Sequence, residues 1–84
     1  MFYVYILVSN KNDNYIGLTS DLRRRFEEHN QGKVKSTKGK TWQLVYYESY
    51  LSKKDAIRRE RRLKDDGRAR YQLMKRVEAS INES

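Results

Sequence analysis

Phenol, guanidinium and imidazole side chains lie close together near the start of the chain. Tyr5 and Tyr15 stand in two short aromatic segments, and a basic segment carrying Arg25 and His29 follows. Such groups can brace a phosphate and move a proton, so together they suit cleavage of a phosphodiester bond. This chemistry requires a fold that brings the four side chains to one place.

A carboxylate on an inward helix face adds a candidate metal ligand. In the predicted second helix, Ala56, Ile57 and Leu63 form the apolar face. Glu60 lies three or four residues from each of them and therefore shares that face. A carboxylate buried without compensation is costly, so Glu60 needs either a basic partner or a metal ion.

Each of these residues also has a purely structural interpretation. Arg25 can belong to a solvated helix face, and His29 can be a cation favoured at a helix C-terminus. Glu60 can form a salt bridge with Arg25 or with a neighbouring arginine. Tyr5 and Tyr15 can be ordinary aromatic residues of a sheet. The functional interpretation rests on their occurring together.

The elements that position these side chains follow from apolar periodicity, turn formers and helix caps. Residues rich in tyrosine, valine and isoleucine predict three strands, at 2–9, 14–18 and 42–48. Capping residues and helical periodicity predict three helices, at about 21–30, 52–64 and 68–79. This ββαβαα order predicts an α+β fold, a small three-stranded antiparallel sheet flanked by helices. We expect residues 1–84 to form a single domain.

Local signals refine this prediction. Gly17 inside a strand predicts a close backbone approach or a bend, and Gly32 predicts the end of the first helix. Ser52 followed by Asp55 resembles a capping box at the start of the second helix. Residues 31–41 carry four lysines, two glycines and no acidic residue, and they predict an exposed loop.

The charge of the chain favours a polyanionic partner. Nineteen lysines and arginines against eleven acidic residues give a net charge of +8. The first 22 residues hold one lysine against two aspartates, so the excess lies in the remainder. Basic residues that meet phosphates release condensed counterions, which favours nucleic acid as the partner.

Composition also restricts the metal and the compartment. The chain has no cysteine, which excludes a disulfide framework and a thiolate zinc site. With a single histidine, a metal must be held mainly by oxygen ligands, as Mg²⁺ or Mn²⁺ is. No apolar run approaches the roughly twenty residues of a membrane span, and we expect a cytoplasmic protein.

The ordered set of segments resembles the GIY-YIG nuclease domain, above all its stand-alone form in small bacterial proteins of about this length. The similarity covers nearly the whole chain. It is carried by Tyr3-Val4-Tyr5, Tyr15-Ile16-Gly17, Arg25, the segment Glu28-His29-Asn30, the segment Leu44 to Glu48, and Glu60 within Arg59 to Lys64.

The resemblance implies a divalent-metal-dependent endonuclease that hydrolyses phosphodiester bonds in DNA. Tyr5 and Tyr15 match the family's tyrosines, and Arg25 matches its helix arginine. Glu60 matches the carboxylate that binds the single divalent cation, Mg²⁺ or Mn²⁺. His29 falls where family members place a histidine or a tyrosine. We expect structure-directed or low-specificity cleavage in DNA repair or processing.

A basic loop completes the predicted nucleic-acid interface. We expect its four lysines to track the phosphate backbone without reading sequence: Lys33, Lys35, Lys38 and Lys40. Two alternatives remain, a non-catalytic adaptor that binds DNA or RNA and a protein-interaction domain. Glu60 separates nuclease from adaptor, because its removal should abolish cleavage in the former and change nothing in the latter. A protein-interaction domain should bind polyanions weakly even at low salt.

Overall fold

Three strands form one antiparallel sheet in the computed structural model, which describes residues 1–82. They are β1 (Phe2–Ser9), β2 (Asn14–Thr19) and β3 (Trp42–Tyr50), in the order β2-β1-β3. β1 therefore lies in the centre, and β2 and β3 form the two edges. The predicted α+β fold with a three-stranded antiparallel sheet is confirmed.

Four helices flank the sheet: α1 (Leu22–Asn30), α2 (Lys53–Asp65), α3 (Gly67–Arg76) and α4 (Glu78–Asn82). The single helix predicted at 68–79 is wrong, because the chain leaves helical geometry at Val77 (φ −103°, ψ 15°). Val77 is buried, and no glycine or proline marks this break in the sequence. Among residues 1–82, no helix has the length and apolar character needed to cross a bilayer.

The side chains of β1 alternate between two apolar clusters, as the pleat of a strand requires. Val4 and Ile6 pack beneath α2 and α3 with Ile16, Ala56, Leu63 and Leu73. Tyr5 and Leu7 point to the opposite face and pack with Trp42 and, at the edge of this cluster, Tyr15, Leu22, Phe26 and Leu44. The tyrosine of the first aromatic segment thus lies on the α1 side of the sheet.

Capping interactions fix both ends of α1. Asp21 accepts a hydrogen bond from the backbone N–H three residues later (3.1 Å), the usual N-cap contact. At the other end Gly32 has φ +75°, and its N–H donates to the carbonyl of His29. The N–H of Lys33 donates to the carbonyl of Glu28 (3.0 Å), which completes a Schellman motif. The predicted stop at Gly32 is confirmed.

The loop at 31–41 is more closely packed than its composition predicts. Val34 and Thr37 are buried, and residues 35–37 form one turn of 3₁₀ helix. The Trp42 indole donates to the Thr37 carbonyl (2.8 Å), and the Asn30 amide hydrogen-bonds both backbone groups of Trp42. The lysines are therefore displayed on a loop that is anchored to α1 and β3.

The two central helices meet at a short turn. α2 begins at Lys53, but the Ser52 side chain makes no capping hydrogen bond, so the predicted capping box is wrong. α2 ends at Asp65, and Asp66 caps α3 by accepting from the first backbone N–H groups of that helix. α2 packs on β1 and β2 and so carries Glu60 toward the β2 side of the sheet.

Candidate active site

A close approach of side chain to backbone places Tyr5. In the antiparallel register Tyr5 lies opposite Gly17 of β2. A Cβ atom added at Gly17 would lie 2.4 Å from both the hydroxyl oxygen and Cζ of Tyr5. The phenol ring therefore lies across β2 in space that any other residue at position 17 would fill. The close approach predicted at Gly17 is confirmed.

The Tyr5 hydroxyl begins a buried hydrogen-bond chain. It lies 2.8 Å from Nε2 of His29, and Nδ1 of His29 lies 2.8 Å from the hydroxyl oxygen of Thr37. That hydroxyl donates to the carbonyl of Val34 (3.3 Å), so it accepts from Nδ1–H. Nε2 is then left with its lone pair and accepts the proton of Tyr5.

His29 is neutral in this arrangement. Its side chain is fully buried, and burial followed by the nearby charge of Arg25 lowers its pKa, although Glu28 acts in the opposite direction. A neutral imidazole offers one donor and one acceptor, and this pair matches the contacts with Thr37 and Tyr5. The interpretation of His29 as a cation favoured at the helix C-terminus does not fit this burial.

Tyr15 lies beside the same imidazole but nearer to solvent. Its ring centroid lies 4.8 Å from that of His29 and 6.3 Å from those of Tyr5 and Trp42, in tilted or edge-on arrangements. Tyr15 is half-buried, whereas Tyr5 is about 1% exposed. Tyr15 also borders a solvent-open hollow of about 340 Å³ that Lys64 helps to line.

Arg25 projects from α1 toward the Tyr5 hydroxyl. Burial alone would lower the pKa of Arg25, but hydrogen bonds with Tyr5 and Glu28 raise it, and the Glu28 contact is 3.3 Å long. Burial and the neighbouring Tyr15 raise the pKa of Tyr5 to about 12, despite the opposing effect of Arg25. Arg25 also lines a second hollow of about 340 Å³, at the end of β2.

Glu60 lies on α2, the helix that packs against β1 and β2. Its side chain is 20% exposed and pairs with Lys64 (3.5 Å). The predicted arginine partner is wrong, because the carboxylate forms its ion pair with this lysine one turn later. The charge of Glu60 is close enough to Tyr5 to raise the pKa of the phenol.

The single carboxylate of Glu60 suits a cation that prefers oxygen ligands better than it suits zinc. Within residues 1–82, no three His, Cys, Asp or Glu side chains cluster closely enough to form a metal cage. Magnesium tolerates a single carboxylate, because it keeps several waters and takes further oxygens from a phosphate. Glu60 could therefore hold Mg²⁺ or Mn²⁺ when a phosphate is present.

The four loop lysines differ in whether they form an ion pair. Lys33, Lys35 and Lys38 are exposed and make no ion pair with any residue in the described part of the chain. Lys40 pairs with Asp13 of the β1–β2 turn, and its ammonium lies 5.9 Å from the centre of the Trp42 ring. Lys40 thus has a structural partner that the sequence did not predict.

The fold brings Tyr5, Tyr15, Arg25 and His29 into one cluster. Glu60 lies on α2, and its charge affects the pKa of Tyr5 less than burial, Tyr15 or Arg25 does. Sequence reasoning missed Thr37, which orients His29, because a threonine inside a lysine-rich loop gives no such signal. Trp42 was identified as a strand residue, but its role in holding Thr37 depends on a contact visible only in three dimensions.

A comparison with protein-family models decides the affiliation. The model described as the GIY-YIG catalytic domain matches residues 1–73. The chain belongs to the GIY-YIG family. The two segments after which that family is named correspond here to Tyr3-Val4-Tyr5 in β1 and Tyr15-Ile16-Gly17 in β2.

Similar GIY-YIG proteins carry the name UPF0213 protein. One from Halobacterium salinarum is 40% identical over 76 residues, covering 88% of this chain and 99% of its own. Another from Haloquadratum walsbyi is 36% identical and covers 96% and 93% of the two chains. The solution NMR structure of the UPF0213 protein from Bacillus halodurans is 37% identical, with a TM-score of 0.58 over 89% of this chain and 84% of that one.

These relatives are small stand-alone GIY-YIG domain proteins, as the sequence predicted. The GIY-YIG domain is a nuclease domain, which implies hydrolase chemistry and a nucleic-acid substrate. Tyr5, Gly17 and Arg25 lie on β1, β2 and α1, the elements predicted at 2–9, 14–18 and about 21–30.

Proposed function

We propose that this chain is a divalent-metal-dependent endonuclease that hydrolyses phosphodiester bonds in DNA. The observation that carries the proposal is the position of the Tyr5 hydroxyl, which hydrogen-bonds His29 and lies against Arg25. Glu60 acts on the same phenol from α2. A proton-transfer chain, a phosphate brace and a carboxylate are thus collected beside one edge strand, β2.

Tyr5 and His29 would accept the proton of the attacking water as a pair. A phenol with a pKa of about 12 is protonated at neutral pH, so it is a poor base by itself. The oxygen of Tyr5 would take a proton from water while its own proton passes to Nε2 of His29. Thr37 keeps Nε2 available by accepting from Nδ1.

Arg25 would brace the scissile phosphate. Its guanidinium is about one-third exposed and lines a hollow at the end of β2, where a phosphate has room to bind. A guanidinium can donate two parallel hydrogen bonds to non-bridging oxygens as their charge increases. On turning to the phosphate, Arg25 would also uncover the Tyr5 hydroxyl for the attacking water.

A divalent cation held by Glu60, Mg²⁺ or Mn²⁺, would polarise the scissile phosphate and stabilise the leaving oxygen. In the free protein, Lys64 balances the Glu60 carboxylate. The exposed loop lysines would contact the DNA backbone, which carries no base-specific information. We therefore expect cleavage directed by DNA structure or of low sequence specificity, suited to repair or processing.

The test is incubation of the purified protein with labelled duplex, single-stranded and branched DNA and with RNA, in Mg²⁺, Mn²⁺ or EDTA. Arg25→Ala should reduce cleavage by about a hundredfold to a thousandfold, as loss of a transition-state donor commonly does. Glu60→Ala should abolish metal-dependent cleavage while binding persists. Arg23→Ala and Glu27→Ala are matched controls, because both residues are exposed on α1 and neither lines the hollow beside Arg25.

The outcomes separate the candidate functions. Cleavage that survives EDTA or Glu60→Ala would contradict the metal-dependent mechanism. Binding of DNA or RNA without cleavage under any condition would favour the adaptor instead. Cleavage of RNA alone would leave the mechanism intact and exclude DNA as the substrate.

A further inference from the structure

Three arginines converge on a groove that the proposed active site does not use. The groove lies between α2 and α3, has a volume of about 350 Å³ and is lined by Arg59, Arg62, Ala69, Gln72, Leu73 and Arg76. No acidic residue of the described chain lines it. On α2 the side chains of Arg59 and Arg62 point away from Glu60, by about 100° and 160° of helical rotation respectively.

One wall of this groove is rigid. Arg59 is bound to Glu48 of β3 through two nearly parallel hydrogen bonds of 2.9 Å, from Nε and Nη2. Burial alone would raise the pKa of Glu48, but hydrogen bonds from Arg59, Tyr50 and Tyr46 lower it, so the carboxylate stays ionised. Nη1 of Arg59 makes no hydrogen bond within residues 1–82 and can donate to a ligand.

The other two guanidinium groups are only weakly compensated. Arg62 is exposed, and its contact with Asp66 spans 4.0 Å, the limit of an ion pair. Arg76 is exposed and makes no ion pair with any other described residue. Three positive charges therefore surround the groove, and Glu48 neutralises one of them fully.

We propose that the groove between α2 and α3 binds a terminal phosphate group, held by Arg59, Arg62 and Arg76. A terminal phosphate carries about −1.5 to −2 charges and three acceptor oxygens, which match several guanidinium donors. A phosphodiester within a strand carries a single charge and two free oxygens, so it uses such a site poorly. The Gln72 amide adds one neutral partner for the group that bears the phosphate.

Two sources can supply this chemistry, a small phosphorylated molecule and the phosphorylated end of a nucleic-acid strand. The groove has the size of a small-molecule site, which typically measures about 300–1,000 Å³. It is also open to solvent on the protein surface, so a strand end can enter. The probes must therefore include both sources.

The experiment follows the side-chain Nε–H signals of the arginines by NMR. The titrants are inorganic phosphate, a short single-stranded oligonucleotide with a 5′-phosphate, and the same oligonucleotide without it. EDTA is present throughout, so cleavage plays no part and the nuclease proposal stands or falls separately. We expect saturable shifts at Arg59, Arg62 and Arg76 with inorganic phosphate.

Variants identify the site. Arg76→Gln and Arg62→Gln should each weaken phosphate binding by about tenfold, since each removes a charge-assisted hydrogen bond. Both residues are exposed, and an unchanged amide spectrum verifies the fold. Arg58→Gln is the matched control, because Arg58 lies on α2 outside the groove and its side chain is 79% exposed.

Three results would overturn the proposal: no saturable shift at Arg59, Arg62 and Arg76 with inorganic phosphate, similar shifts of all arginines, or equal weakening by Arg58→Gln. Binding of inorganic phosphate but not of the phosphorylated strand supports a small-molecule ligand. Binding of both supports a strand end as well.

Discussion

At the scale of single residues, the proposed chemistry depends on the partners of the Tyr5 hydroxyl. The Tyr5 side chain is nearly inaccessible, and its hydroxyl interacts with His29 and Arg25. A hydroxyl in that position serves better as a relay than as a preformed phenolate, because burial raises its pKa to about 12. Tyr15 shares the imidazole but is more open to solvent.

Removal of the two phenol hydroxyls should have unequal effects. Tyr5→Phe leaves Nε2 of buried His29 without its partner, which should lower the free energy of unfolding by about 1–3 kcal/mol. Under conditions in which the variant is fully folded, it should also reduce the cleavage rate by about a hundredfold to ten-thousandfold. This is the usual contribution of a positioned proton-transfer group. Tyr15→Phe should cost less in both respects. Urea unfolding and single-turnover cleavage measure the two effects, and the reverse ranking would assign proton transfer to Tyr15.

His29 should make stability depend on pH in a defined direction. Burial lowers its pKa in the folded protein below the ordinary value of 6.5, so the unfolded chain binds its proton more readily. The stability that neutral His29 contributes to the folded protein is complete above pH 6.5. It is lost as the pH falls from 6.5 through the lowered pKa of His29 in the folded protein.

The measurement is direct, because His29 is the single histidine of the chain and its ring signals in NMR are unambiguous. We expect the titration midpoint below 6.5 and an unfolding free energy that decreases as the pH falls from that value. His29→Gln should flatten this part of the stability curve. A midpoint at or above 6.5 would refute the neutral, buried imidazole.

At the scale of elements, the site depends on how β1, β2 and α1 are joined. Gly17 lets the Tyr5 ring pass over β2, and the Schellman motif at Gly32 turns the chain so that Thr37 meets His29. Trp42 then ties the loop to β3. The candidate site is thus supported by β1, β2 and α1, and hydrogen bonds anchor both ends of α1.

Gly17→Ala should displace Tyr5. The new methyl group would overlap the hydroxyl end of the ring, which is held by His29 and cannot move freely. Overpacking of this kind costs about 1–3 kcal/mol, and we expect a similar loss of stability together with reduced cleavage. Gly67→Ala is the control, since Gly67 has no positive φ and an added Cβ there would make only an ordinary contact of 3.6 Å with Arg70. Unchanged Tyr5 and His29 NMR signals in Gly17→Ala would contradict the close approach.

At the scale of the whole molecule, the excess of positive charge is distributed over distinct surfaces. The loop at 31–41 displays three lysines that make no ion pair within residues 1–82, Arg25 lies beside β2, and the groove between α2 and α3 holds three arginines. With a net charge of +8, association with nucleic acid should weaken as salt increases.

Replacement of Lys33, Lys35 and Lys38 by alanine should reduce the salt dependence of DNA binding. The slope of the logarithm of the binding constant against the logarithm of salt concentration should fall by about 0.9 for each phosphate that the loop no longer neutralises. Lys40→Ala should change it less, because Lys40 already pairs with Asp13. Fluorescence anisotropy at several salt concentrations measures both, and equal slopes for the triple variant and the original chain would exclude the loop from the interface.

The sequence was sufficient for the strands, α1, α2 and the family, because these depend on local signals. Four local signals each act within a few residues: the aromatic and β-branched composition of 2–9, the turn formers before Asn14, the cap at Asp21 and the stop at Gly32. The sequence did not predict the end of α3 at Val77, a residue that is buried in the fold. It also wrongly predicted a capping hydrogen bond from the Ser52 side chain.

By itself the sequence determined which chemical groups the chain contains and, through local propensity and spacing, which elements carry them. The tertiary structure decided most of their partners: Thr37 for His29, Asp13 for Lys40, and Glu48 for Arg59. These pairings join residues from different elements or depend on which side chains the packed helices leave free. Spacing along the chain cannot specify them, because burial and hydrogen bonding are set by the packing of all elements together.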